Sequence, residues 1–548
     1  MASILNDDLL YAICSACPRS TLVNLCLVSS TCYIAAMPYL LREVTFRRSS
    51  ELLLRFIHFI LENSTSSYMS AGTSKYDHGQ VSSTVRLRYI TDPGKHVRTF
   101  SLFDEGCHSA LRSAIVNHNV YDEDVWARLL TKALALMPNL QSVYIESRLE
   151  SICEHSREFA AILLTRPRLR SLNVRSPGQF ASRGFREAIR VRNLKSDPLK
   201  LKVVVFSGSY DDVPIILHPG YGLGALIFAC RDSLEELRCA DCNMSGLLST
   251  SDGLARSTRR IVYPNVGKIY LHKEPQVDVE SFALSFPSLR ALFLPAETPA
   301  FVKGISARRA AFRNLASLTS RGFAAVASFL QRVDPPPRLH HLVMWKFSTL
   351  PVEADSQADI DFVVNNVFPM LRSFVVKIRR PHIYGPGQWD VFSRSLRSLR
   401  YLSLYLWAYH NEEIRVLDVL NPEMLSSIPL EYFSLTYTAP AATGGLPLYT
   451  TPEAPISRHG IALAYAKSIR SLQFIDLCER LYVGNSHYTT VDVTNWWKIL
   501  RTESPTDDDT QCVKLEALEE RMGSALRDQY DDPRLKFSGY PLGDRRLG

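Results

Sequence analysis

The phrase PNLQSVYI, Pro138 to Ile145, returns as PRLRSLNV at Pro167 to Val174, PNVGKIYL at Pro264 to Leu271 and PSLRALFL at Pro287 to Leu294. It returns again as PRLHHLVM at Pro337 to Met344 and PMLRSFVV at Pro369 to Val376. Looser forms share its spacing: VRTFSL from Val97, LKVVVF from Leu201, SLEELRC from Ser233, NLASL from Asn314, SLRYLSL from Ser398, PLEYFSL from Pro429 and SIRSLQF from Ser468. The leading apolar residues Leu140, Leu169, Leu201, Leu234, Val266, Leu289, Leu315, Leu339, Leu371, Leu399 and Leu430 stand 23 to 33 residues apart. The steps from Val97 to Leu140 and from Leu430 to Ile469 are longer and must carry insertions.

The spacing apolar-x-x-apolar-x-apolar has a physical reading. Its last two apolar residues alternate across a short strand and point inward, and the first turns the chain into that strand. One such unit cannot bury its own apolar side, so the units must stack as a parallel sheet backed by helices. Helices are expected in the gaps, at Asp124 to Leu136, Ser156 to Leu164, Gly222 to Cys230, Ile305 to Phe312, Phe323 to Leu330, Ile360 to Val367 and Ile461 to Lys467. The expected fold class is α/β, a solenoid with parallel strands on the concave side and helices outside. Residues between the inward positions should face solvent there, which makes Tyr144, Asn173, Tyr270, Phe293, His341, Tyr401 and Tyr405 candidate target contacts.

Ahead of the repeats, Ile4 to Phe46 reads as three short amphipathic helices. Leu9, Leu10, Ile13 and Cys17 share a face of the first, which Pro18 must end. Leu22, Leu25, Leu27 and Val28 mark the second. Ser29 or Ser30 is placed to cap the third, which Pro38 bends or closes. Three helices this short cannot bury so much apolar surface among themselves, so the excess must meet the rest of the chain or a partner.

The order of residues in this stretch resembles an F-box. Leu5 stands at the leucine of the opening pair, Asp8 to Ile13 at the first helix, Leu22 to Leu25 at the second, Val28-Ser29 at the turn and Leu41-Arg42-Glu43-Val44 at the close. Asn6 replaces the usual proline and Cys14 the usual leucine. The repeats are similar to the irregular leucine-rich repeats that follow F-boxes in fungal proteins, without an asparagine in each turn. The resemblance implies the substrate-recognition subunit of a cullin-based, SCF-type ubiquitin ligase. In such a complex a Skp1-type adaptor binds the N-terminal helices, the cullin is reached through it, and a target protein lies on the repeats. It assigns Leu5, Leu9, Leu10, Ile13, Leu22, Leu25, Val28 and Leu41 to the adaptor contact or to the module's core, and the sequence does not divide them between the two. The alternative is a leucine-rich-repeat scaffold with no ligase role, its N-terminal helices capping the solenoid.

The expected domains are a helical module at residues 1–47, a linking helix and Ser/Thr/Gly-rich loop at 48–96, and a solenoid at 97–502 with a Pro/Gly-rich insertion near 439–459. An acidic loop, a short helix at Lys514 to Leu526 and a tail fill 503–548, and Thr494 to Leu500 reads as a last helix closing the array. With 46% hydrophobic residues over 548 positions the chain can bury a large core. No signal peptide and no run of eighteen apolar residues is found, so no membrane is expected and the cytoplasm or nucleus is. The eleven cysteines are scattered and read as reduced thiols packed in cores, Cys14, Cys17, Cys26 and Cys32 included. A net charge of +8, spread along the chain, gives no nucleic-acid stripe. No nucleotide, zinc-protease or nucleophile-elbow motif is present, and Gly220, Gly222 and Ala225 only imitate a dinucleotide loop. No enzyme activity, cofactor or metal is expected.

Overall fold

The computed structural model describes residues 7–47, 50–64, 92–103, 123–146, 148–175, 177–193, 199–207, 215–240, 242–251, 258–271, 277–294, 301–302, 312–320, 322–333, 336–347, 356–379, 386–407, 416–439, 453–482, 490–502 and 512–531. They fall into two compact units, Met1–Asn265 and Val266–Gly548. Leu5, most of the 63–80 loop, residues 305–311 of the helix expected at 305–312, residues 440–452 of the insertion, the 504–510 acidic loop and the tail from 532 lie outside the described residues.

The first unit opens on three helices, α1 (Asp7–Ala16), α2 (Arg19–Cys26) and α3 (Ser30–Leu40). Pro18 sits in extended conformation directly before α2, and the Ser29 hydroxyl caps α3 by accepting from the Cys32 amide at 3.1 Å. Pro38 lies inside α3, which continues to Leu40; a proline so near the end forfeits one backbone bond without stopping the helix. Leu10, Cys14, Leu22, Ala35 and Ala36 form the core of the three helices, with Cys17, Leu25, Cys26 and Cys32 packed against it. Arg19 ties them to the next strand, donating to the Glu43 carbonyl at 2.7 Å.

That strand, β1 (Glu43–Arg47), is already a repeat strand. Leu41, Val44 and Phe46 are buried at the spacing of the recurring phrase, and β1 pairs in parallel with β2 (Thr99–Phe103). The parallel ladder thus begins at Glu43, upstream of Val97. It continues through β3 (Ser142–Ile145), β4 (Ser171–Arg175), β5 (Val203–Ser207) and β6 (Glu236–Ala240). Between strands run α4 (Ser50–Asn63), α5 (Glu123–Ala135), α6 (Leu149–His155), α7 (Phe159–Leu164), α8 (Gln179–Asn193) and α9 (Gly222–Ala229). The helix expected from Ser156 to Leu164 is the shorter α7, and α6, which ends before Ser156, falls outside every expected range. Helix α8 was not expected: its buried Ala181, Phe185, Ala188 and Ile189 keep helical spacing, but four arginines and Gly184 dilute the pattern.

The second unit repeats the scheme. Strands β7 (Lys268–Leu271), β8 (Ala291–Phe293), β9 (Ser317–Ser320), β10 (His341–Phe347), β11 (Ser373–Arg379), β12 (Tyr401–Trp407), β13 (Tyr432–Ala439) and β14 (Phe474–Tyr482) are parallel and lie in sequence order. Helices α10 (Val279–Ser285), α11 (Phe323–Gln331), α12 (Gln357–Asn366), α13 (Pro386–Ser395) and α14 (Glu453–Ser468) alternate with them. Helix α14 starts within the expected insertion, eight residues before Ile461. Both units are thus solenoid-like α/β arrays of alternating strands and helices.

The anchor of each phrase is buried, and one backbone device couples successive repeats. Between successive repeats within each unit, the carbonyl of the residue after the anchor accepts two amides from the next repeat: Arg170 and Ser171 donate to Gln141, and Arg400 and Tyr401 to Arg372. Three asparagines add a rung, each standing just before its anchor. Asn139 donates to the Lys95 carbonyl at 2.7 Å, Asn265 to Asp232 at 2.6 Å and Asn314 to Pro287 at 3.2 Å. These three contacts are isolated and precede the strands, so they do not make the asparagine ladder of the consensus repeat, whose asparagine follows the strand.

Three expectations are corrected at the end of the array. The last phrase is anchored at Leu472, not Ile469, because Tyr432 pairs with Phe474 and Phe433 with Ile475. Thr494 to Leu500 is no helix but part of the long strand β15 (Thr490–Thr502), antiparallel to β14. Trp497 and Ile499 are buried on one side of it and Trp496 is covered on the other, so the usual polar alternation is lost. Lys514 to Leu518 belongs to the edge strand β16 (Cys512–Leu518), and the terminal helix α15 runs instead from Glu520 to Tyr530.

Candidate protein-interaction surfaces

The residues assigned to the N-terminal module separate cleanly. Leu10, Leu22 and Leu41 are buried, and Leu25 is partly buried against the core. Leu9 is 52% exposed, Ile13 39% and Val28 71%, and Tyr11, Val23 and Leu27 are exposed beside them in sequence. Leu9 and Ile13 are one turn apart on α1, so their side chains stand on one face. The module's core is complete without them.

The second surface is the sheet face opposite the inward leucines. Side chains there were expected in solvent, and this is corrected: Tyr144, Asn173, Tyr270, Phe293, His341 and Tyr401 are all buried, and only Tyr405 is partly exposed. In part the cause is the sheet itself. Strands stand about 4.8 Å apart, so neighbouring rings in register shield one another. Tyr270 stacks on its register partner Phe293 with centroids 4.0 Å apart, and Phe103 stacks diagonally on Tyr144 at 4.4 Å, two residues on from Tyr144's partner Ser101. In the first unit the face is also strongly polar. Glu236 and Arg238 form a buried ion pair at 2.6 Å, Arg175 pairs with Glu146, and the Asn173 side-chain oxygen has no hydrogen-bond partner among the described residues.

In the second unit the cause is a further element. Helix α15 crosses the face, and the residues under it form one network around Asp476, which is wholly buried. The Tyr432 hydroxyl donates to Asp476 Oδ1 at 2.8 Å and the Ser434 hydroxyl to Oδ2 at 3.0 Å. From α15, Arg527 donates to both carboxylate oxygens, its Nε to Oδ1 at 3.2 Å. Tyr530 lies 5.3 Å from the Tyr432 ring and 6.3 Å from that of Phe474. Asp531 approaches His341, whose Nδ1 is 2.7 Å from the Ser373 hydroxyl. Burial pushes the Asp476 carboxyl above its ordinary range, and the Arg527 guanidinium opposes this without cancelling it. Neither Asp476 nor Arg527 was picked out from the sequence. Asp476 was hidden by the misplaced register, since it falls beside Ser434 and Ser403 only when Leu472 is the anchor.

Among the described residues no group of three or more His, Cys, Asp and Glu side chains is disposed to hold a metal ion, and no helix is long and apolar enough to cross a membrane. The glycines that imitate a dinucleotide loop open α9, and Gly224 packs on the backbone of His218. Burial pushes the Cys153 and Cys230 thiols up to about 12. Since only the thiolate attacks, about pH 8 leaves roughly one part in ten thousand of each reactive. Among the described cysteines, iodoacetamide should therefore modify the exposed Cys512 first, and Cys153 and Cys230 only after unfolding. Peptide mapping by mass spectrometry checks the order, and early labelling of Cys153 or Cys230 would contradict the burial described.

No family model matches the chain, and no curated protein does. Among solved structures, that of the mouse RP105/MD-1 complex is similar over 64% of this chain and 57% of that chain, at 13% identity and a TM-score of 0.27. The match thus spans little more than half of that chain's length, and so slight a likeness carries no weight for fold or function.

Proposed function

We propose that the protein is a scaffold for protein–protein interaction, built on leucine-rich-type repeats and holding partners at two places, the N-terminal helices and the repeat sheet. The observation that carries this is the apolar surface left on α1, α2 and the turn that follows α2. Leu9, Ile13, Val23, Leu27 and Val28 stay exposed although Leu10, Cys14 and Leu22 already close the module's core. Large apolar side chains gathered on so small a module cost solubility and contribute nothing to its own packing, which is the signature of a docking surface.

A second, sharper reading is favoured by where these residues stand. Leu9, Ile13 and Val28 occupy positions of the F-box resemblance, so the partner of this surface is a Skp1-type adaptor, with a cullin beyond it. The protein is then the substrate receptor of an SCF-type ligase. Its contribution to ubiquitin transfer is proximity, holding a target's lysines near a thioester on another subunit.

The test uses the full chain and purified Skp1-type adaptor. Wild type should bind, and Leu9→Asp, Ile13→Asp and Val28→Asp should each weaken binding at least tenfold with an unchanged circular-dichroism spectrum, since exposed positions tolerate substitution. A wild-type chain that fails to bind the adaptor sinks the ligase reading and leaves the scaffold. Variants that bind as wild type does would remove the apolar surface as the docking site.

A further inference from the structure

The groove beneath α15 is shaped for one kind of occupant. Its floor is a row of small side chains in register, Ser403, Ser434 and then Asp476, ending at Trp496. One wall is the aromatic row Tyr401, Tyr432 and Phe474, two residues back along the same strands. Tyr405 and Thr436 follow on the other side. A carboxylate sunk between aromatic rings, with Tyr432 and Ser434 already donating to it, is built to receive a guanidinium, which can bond both oxygens and lie against a ring. Arg527 does both: it pairs with Asp476, and its guanidinium carbon stands 5.8 Å from the centre of the Trp496 ring.

The present occupant holds on by one stripe, extended at its end by Asp531 beside His341. Helix α15 has eleven residues, too few to be a stable helix by itself. Only Gly523 is fully buried in it, with Leu526, Arg527 and Tyr530 partly so, which is one helical stripe at three- and four-residue spacing. Gly523 lies so close to Trp496 that a Cβ there would fall 2.1 Å from the ring. Met522 is 54% exposed on the same helix. The fit is also incomplete, because Trp496 Nε1 is buried without an acceptor among the described residues.

We infer that this groove is a recognition site for a partner protein's amphipathic helix carrying a small residue, an arginine four positions later and an aromatic residue three beyond that, and that α15 is a displaceable resident presenting the same pattern as Gly523, Arg527 and Tyr530. The inference rests on the scaffold reading for the existence of a partner at the sheet, and it names that partner's chemistry. The arginine supplies the charge that Asp476 selects, the aromatic ring completes the cluster of Tyr432 and Phe474, and the small residue permits contact with Trp496.

The experiment vacates the groove in the full chain and offers a helix in trans. Two variants release α15 by different means: Gly523→Val by collision with Trp496, and Arg527→Ala by loss of the charge pair. The probes are a labelled synthetic peptide of residues 519–531 and an unrelated helical peptide grafted with Gly, Arg and Tyr at the same spacing, read by fluorescence polarisation. Both variants should bind both probes at least tenfold more tightly than wild type does. Adding Asp476→Asn should abolish that gain, and changing the probes' arginine to lysine should weaken binding at least tenfold. Folding is checked by circular dichroism and by hydrogen exchange over β10 to β12, which the released helix should leave unchanged. Variants that keep their fold and bind neither probe overturn the inference and leave the apolar docking surface of the N-terminal helices, on which the scaffold reading rests, untouched. Binding of the native peptide but not the graft overturns it too, by making the groove a private seat for α15.

Discussion

Replacing Phe368 with alanine should destabilise the middle of the second unit by about 3–5 kcal/mol, the cost of deleting a fully buried phenylalanine and leaving its cavity. Phe368 stands in a single 3₁₀ turn, Phe368–Met370, between α12 and β11. Its ring meets those of Phe374 at 5.3 Å, Phe392 at 5.4 Å and Phe323 at 6.2 Å. Those three rings come from β11, α13 and α11, so one side chain touches three successive repeats. In a solenoid each repeat is stabilised only by itself and its neighbours, and a defect at such a junction is felt locally rather than spread over the chain. Hydrogen exchange read by mass spectrometry should show protection lost across β10, β11 and β12 and unchanged in α1 to α3. The control is Val391→Ala on the adjoining residue, which is 47% exposed and should change stability by no more than about 0.5 kcal/mol. Equal effects from the two substitutions would refute the stacked core as the source of stability.

The repeats were legible because the strand imposes the spacing. Three apolar positions at fixed offsets must all reach the core, and at Leu140, Val143 and Ile145, or Leu399, Leu402 and Leu404, all three are buried. Where a second set of apolar residues overlaps the first, the pattern becomes ambiguous. SIRSLQFIDL contains both Ile469-x-x-Leu472-x-Phe474 and Leu472-x-x-Ile475-x-Leu477, and only strand pairing selects the latter. The same ambiguity hid β1, since Leu41, Val44 and Phe46 serve equally as the close of a helical module and as the first repeat.

The opposite face of the sheet was not legible, for a different reason. Alternation along a strand says which side chains leave the core, not what lies over them. Arg527 reaches Asp476 from 51 residues away, and nothing in the local pattern of FIDL announces that a carboxylate will be covered. The N-terminal module is intermediate. Leu9 and Leu10 are adjacent, one exposed and one buried, and a helix ten residues long constrains its own rotation about its axis too weakly for the sequence to assign the two.

The same limit applies to glycine, whose two roles in this chain predict opposite outcomes from one substitution. Gly224 lies in α9, where alanine is intrinsically better by about 1 kcal/mol. A Cβ there, however, would stand 2.2 Å from the His218 carbonyl oxygen and 2.3 Å from its nitrogen. Those are backbone atoms of the chain leading into the helix, so no side chain can swing aside, and α9 would have to move off that segment. Overpacking against backbone should outweigh the propensity gain, and Gly224→Ala is expected to lose about 3 kcal/mol or more. Gly460 lies in α14 with nothing within 4 Å of the same added atom, and it is exposed. Only the propensity term remains there, and Gly460→Ala should gain about 0.5–1 kcal/mol. Hydrogen exchange over the two helices reads both: residues 222–229 should lose protection in the first variant, and residues 453–468 should exchange up to about fivefold more slowly in the second. If Gly224→Ala instead protects its helix, the close approach of His218 is not what holds a glycine at that position.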